Sequence, residues 1–138
     1  MITQCCYLDK YDWLVKVFYE VQPEDTNIIL KELDDIECDK IAFYKLLDLF
    51  ESNITDTGFT YTDSTMHVTF IIICQSSCAE EFRNTFDHEK GHAVMHIAKY
   101  YKIDPFGEEI QYLSQDLGNQ MFEVAHTFMC NRCRKLKR

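Results

Sequence analysis

The sequence predicts an α+β domain in which a small antiparallel β-sheet packs with about four helices. Three observations carry that prediction. Apolar and polar residues alternate over residues 11–21, and two further β-rich runs lie between residues 59 and 74. Four other segments repeat their apolar residues at helical spacing. The segments follow one another in the order β-α-α-β-β-α-α, with no internal repeat, low-complexity run or linker between them.

Tyr11, Trp13, Val15, Val17, Tyr19 and Val21 fall on one side of the first strand, with Asp12, Lys16 and Glu20 on the other. Pro23 ends it, and Pro23-Glu24-Asp25 opens a helix, with acids at the positive end of the dipole. Ile28, Ile29, Leu33 and Ile36 continue that helix. Residues 39–50 give a second one, apolar around so much of its circumference that deep burial is expected. Residues 53–58 read as a loop. A hairpin follows, with strands at 59–62 and 65–74 joined through Asp63-Ser64. Its second strand is central, because Phe70 to Ile73 are four consecutive apolar residues. Ser77, with Glu80 three residues on, reads as a capping box for a long helix reaching about Tyr101. After a turn at residues 103–107, Glu108 opens a last helix with Ile110, Leu113, Leu117, Met121, Val124 and Phe128 on its apolar stripe.

Residues 1–131 form the single domain, and residues 132–138 are a basic tail. That tail carries five of the fourteen basic groups, leaving nine against 23 acids in the body. So acidic a surface repels a phosphate backbone, so nucleic acid is not an expected partner. The longest apolar run is far too short to span a bilayer, and no signal peptide is evident at the start. Seven cysteines without a regular framework suit free thiols in a reducing cytoplasm. Cys130 and Cys133 form a Cys-x-x-Cys pair, which without a second half reads as two reduced thiols.

The chemistry concentrates in Phe86-Asp87-His88-Glu89-Lys90-Gly91-His92, inside the long helix. His-Glu-x-x-His on a helix places two imidazoles one turn apart on one face, able to converge on a single cation. Glu89 then stands where it can take a proton from a water on that cation. Gly91 costs a helix interior about 1 kcal/mol relative to alanine, which suggests close packing there against a neighbour or substrate. A third protein ligand is needed. His96 lies about 12 Å along the axis from His88, too far to share the ion, and is expected to line a pocket or the surface. Glu108 or Glu109, after the turn that reverses the chain, can face back toward the histidines.

Phe82 to His92, followed by Gly107-Glu108-Glu109-Ile110-Gln111-Tyr112-Leu113, resembles a group of small His-Glu-x-x-His proteins encoded by phages, prophages and mobile elements of gut bacteria. These are similar to minimal gluzincins, zinc metallopeptidases whose third ligand is a glutamate on the following helix. Their later motif reads Glu-x-x-x-Tyr-Leu, and laying Tyr112-Leu113 on it selects Glu108. The resemblance spans roughly residues 66–133. It implies one Zn2+ per chain held by His88, His92 and Glu108, with Glu89 as general base and a peptide or protein as substrate. Gln111 and Lys90 depart from the pattern without removing a ligand. Tyr112, one turn after Glu108, could steady an oxyanion, and Asp104 or Asp116 could orient a ligand histidine. The resemblance also assigns pairing with an extended substrate to the hairpin of residues 59–74. The competing expectation is a catalytically silent protein of the same fold that binds a host protein.

Overall fold

The computed structural model describes residues 1–132. Four strands and four helices bear out the α+β class, in the chain order β1 (Ile2–Leu8), β2 (Trp13–Val21), α1 (Thr26–Asp35), α2 (Lys40–Glu51), β3 (Gly58–Asp63), β4 (Val68–Cys74), α3 (Ala79–Tyr101) and α4 (Glu108–Ala125). The sheet order is β1-β2-β4-β3. It is mixed, not antiparallel as expected. β1 pairs antiparallel with β2 and β3 with β4, but the two central strands, β2 and β4, run parallel.

Helices cover both faces. Val15, Val17 and Tyr19 of β2, with Ile71 and Ile73 of β4, pack under α3 and α4. Phe18, Val21, Phe70, Ile72 and Cys74 pack under α1 and α2. Central β4 is therefore buried on both sides, as its run of apolar residues requires. Val21 does not share a face with Tyr19: the register shifts between Phe18 and Val21, and Glu20 takes a positive φ of 53°. One extra residue in the strand reverses the alternation.

Other expectations are corrected. Residues 2–8 add an unforeseen edge strand. The hairpin turn has four residues, 64–67, and the Asp63 carboxylate accepts from the N–H groups of Thr65 and Met66. α2 buries only Leu46 and Phe50 and leaves Ile41 66% and Tyr44 60% exposed. Ser77 does not cap α3; its N–H and hydroxyl go to the Asp56 carboxylate at 2.7 Å each. The N–H of Ala79, which has no acceptor within the helix at the start of α3, is met instead by the Asn131 side chain, 52 residues on, at 2.9 Å. Cys133 and the basic tail beyond it lie outside the described residues.

Cys5, Cys6, Cys38, Cys74 and Cys78 are free thiols. Burial pushes the Cys6 and Cys74 thiols up to about 12, so both act as small apolar core residues. No described helix is long and apolar enough to cross a membrane.

Candidate metal centre

α3 carries the whole motif as one uninterrupted helix, so His88 and His92 stand one turn apart. Their Nε2 atoms are 3.1 Å from each other. Two nitrogens bound to one zinc at about 2.1 Å with a tetrahedral angle lie about 3.4 Å apart. The observed gap corresponds to an angle of about 95° at the ion, a small adjustment for two exposed side chains. His88, Glu89 and His92 offer ligand atoms within 4.8 Å of one another, a group that could hold a metal ion.

Glu89 is 4% exposed, and its Oε2 is buried without a hydrogen-bond partner. A carboxylate oxygen is not left orphaned in a core at no cost. It suits a group that exchanges protons with something entering beside it. Burial raises the Glu89 carboxyl above its ordinary range, while the His88 and His92 imidazoles and a Thr60 hydrogen bond pull the other way.

β3 sets this carboxylate in place. Gly58 lies so close that a Cβ there would meet Glu89 Cγ at 2.8 Å, Thr85 Cγ2 at 2.9 Å and the Ile72 carbonyl at 2.8 Å. Thr60 donates to the Glu89 carbonyl at 3.2 Å, and Thr62 Oγ1 lies 2.8 Å from His96 Nδ1. That last contact continues inward, since Thr62 also meets Thr69 at 2.8 Å and the Trp13 indole donates to Thr69 at 2.9 Å. His96 is thus a half-buried wall residue, as expected, and lies outside the group of His88, Glu89 and His92. Burial holds it below its ordinary pKa, with His92 and Lys99 adding to the effect.

The edge of β3 is open. Cys74 N–H donates to the Thr57 carbonyl, and Leu14 N–H to the His67 carbonyl. By the alternation of a sheet, Phe59, Tyr61 and Asp63 spend their backbone groups on β4. The backbone groups of Gly58, Thr60 and Thr62 then point outward, alongside the motif. A cavity of about 300 Å³ at this place is lined by His88, Glu89 and Gly58, and also by Asp56 and Glu81, two acids that favour a cation at its mouth.

The structure does not bring Glu108 to the histidines. Lys90 Nζ lies 3.2 Å from where a Cβ on Gly118 would be, so the side of α3 facing α4 is the side opposite His88 and His92. Glu108, ten residues before Gly118, is roughly 15 Å further along the axis. Tyr112 is exposed on the same helix, similarly displaced. Glu109 turns to the short connection between β1 and β2, bonding Lys10 at 2.9 Å and the Tyr11 hydroxyl at 3.3 Å. Among Asp104 and Asp116, the first accepts from Phe106 N–H and the second from the Gln120 side chain, so neither orients an imidazole. Gly91 faces open space, with nothing within 4 Å of an added Cβ, so no neighbour among the described residues packs closely there. The tight glycine is Gly58, which the sequence placed in a loop. Its only signal was a glycine immediately before a β-rich run.

No family model, curated protein or solved structure matches this chain.

Proposed function

We propose that this protein is a metal-dependent hydrolase of peptide bonds, working with one Zn2+ per chain. The observation that carries the reading is Glu89: a buried, unpartnered carboxylate oxygen beside two imidazoles whose nitrogens are a ligand's bite apart. A structural metal site has use for the imidazoles but none for such a base.

His88 and His92 would hold the ion, which when bound supplies a Lewis acid that makes water nucleophilic near neutral pH. Glu89 accepts the proton of the attacking water and returns it to the leaving amine, and its burial keeps its basicity high enough to do so. The open backbone groups of Gly58, Thr60 and Thr62 align an extended chain next to Glu89 by strand addition. The resemblance of residues 82–92 to small His-Glu-x-x-His metallopeptidases of mobile elements agrees with this chemistry.

A silent binding protein is the second reading, favoured by the lack, among the described residues, of a ligand group at the histidines other than Glu89 itself, which the hydrolase reading needs as its base. Elemental analysis after zinc loading, followed by a fluorogenic peptide screen, decides between them. About one zinc per chain, lost in His88→Ala and in His92→Ala, together with cleavage abolished by Glu89→Gln, supports the hydrolase. Zinc uptake without any cleavage, or no uptake at all, overturns it.

A further inference from the structure

A cavity of about 650 Å³ lies further along the open edge of β3 and is not part of the metal centre. Its walls come from helices on opposite faces of the sheet. α2 brings Asp39, Ile41 and Lys45, and α3 brings Lys99 and Tyr100, so the two lysines approach the strand edge from either side. Neither ammonium has a salt-bridge partner among the described residues. In a chain of net charge −9, this cavity gathers two lysines against a single acid. The one acid in the wall is already engaged, since Asp39 accepts from Ile41 N–H at the start of α2. Ile41 and Tyr100 supply exposed apolar surface beside the charges.

The position is fixed relative to the metal centre. From Glu89 to His96, α3 advances about 10.5 Å. β3 advances about 6.6 Å from Thr60 and about 13 Å from Gly58, which touch Glu89, to Thr62, which touches His96. A chain paired to β3 therefore has a side chain at this cavity two or four residues from the one beside Glu89, on the same face.

The geometry points to this cavity as a specificity pocket for an acidic side chain of an extended peptide, its carboxylate received by Lys45 and Lys99 and its stem by Ile41 and Tyr100. The inference rests on the proposed peptide-binding role of the β3 edge, but not on turnover.

Binding is therefore measured on the full-length Glu89→Gln protein, so that absence of catalysis does not affect the result. The probes are N-acetylated, C-amidated hexapeptides alternating Thr and Val, with one central Glu, Gln or Lys, titrated calorimetrically at low salt. The Glu peptide is expected to bind about tenfold more tightly than the Lys peptide, against the repulsion of the protein's overall charge. The double variant Lys45→Gln/Lys99→Gln should lose that preference, and Lys45→Glu/Lys99→Glu should reverse it. Both lysines are exposed, so folding is not at stake. Equal affinity for the three peptides, a preference for Lys, or no saturable binding by any of them overturns the inference.

Discussion

Two glycines next to the motif should respond to the same substitution with opposite signs. At Gly58, an added Cβ would lie 2.8 Å from Glu89 Cγ, 2.9 Å from Thr85 Cγ2 and 2.8 Å from the Ile72 carbonyl oxygen. Glu89 and Thr85 are buried, and the Ile72 oxygen belongs to central β4, so no flexible surface group can yield. Overpacking of this kind costs about 1–3 kcal/mol. Gly91→Ala, by contrast, places its methyl in open space on a helix with ordinary negative φ. It should gain up to about 1 kcal/mol from helix propensity and the reduced freedom of the unfolded chain.

Thermal unfolding followed by fluorescence of Trp13, the single tryptophan and fully buried, measures both changes. With roughly 3–4 °C per kcal/mol for a chain of this size, Gly58→Ala should lower Tm by about 3–12 °C and Gly91→Ala should raise it slightly. Gly58→Ala should also displace the Glu89 carboxylate and depress any hydrolytic activity, because Glu89 Cγ is one of the atoms that must move. A Gly58→Ala protein as stable as wild type would refute the close approach. A Gly91→Ala protein less stable than wild type would refute the open surroundings of that residue.

Asn131→Ala should destabilise by about 0.5–2 kcal/mol, the cost of a lost helix cap, because Ala79 N–H loses its acceptor; an unchanged denaturation midpoint would contradict that cap. Thr69→Val should cost about 1–3 kcal/mol by stranding the buried Trp13 indole N–H, and Trp13→Phe in the same background should recover part of it in a double-mutant cycle. Glu89→Gln should stabilise the chelator-treated protein at pH 7, since it removes a charge that burial disfavours; a loss of stability would mean that the carboxylate is better satisfied than its unpartnered Oε2 implies.

What the sequence discloses here is whatever lies within one element. The period of apolar residues located seven of the eight regular elements, and i, i+4 spacing alone juxtaposed His88 and His92. β1 escaped because its inward column reads Ile2, Gln4, Cys6, Leu8, with an amide in a core position. That amide is satisfied only by tertiary partners: Tyr19 O–H donates to Gln4 Oε1 at 2.7 Å, and Gln4 Nε2 donates to the Gln120 carbonyl at 2.6 Å. The parallel pairing of β2 and β4 was half visible. Phe70 to Ile73 signalled burial on both faces, which is the habit of parallel strands, but the run does not say which strand lies beside it. The cap of α3 could not be seen at all, because Asn131 is remote in sequence.

The misplaced third ligand has the same origin and leads to a testable alternative. Lys90 faces Gly118, so the residues of α4 level with His88 and His92 are those near 120 and 116. Gln120 and Asp116 there are bonded to each other, and Gln120 reaches on to Tyr7 of β1. α4 thus serves the β1 side of the sheet, while the histidines look toward β3. The acids placed to help hold a cation are instead Glu81 of α3 and, in the chain that precedes β3, Asp56, which both line the cavity with His88 and Glu89. Asp56→Asn should therefore weaken zinc binding by about 10–100-fold, the range for a group supporting a metal from just outside its ligands. Glu108→Ala should leave the affinity unchanged. Ser77→Ala, which removes the hydroxyl donor to Asp56 Oδ2 but keeps the backbone N–H donor and the carboxylate, separates charge from side-chain anchoring and should have little effect. Zinc affinity that survives Asp56→Asn but collapses in Glu108→Ala would mean that α4 rotates and slides onto the histidines when the ion binds, contrary to its packing against β1.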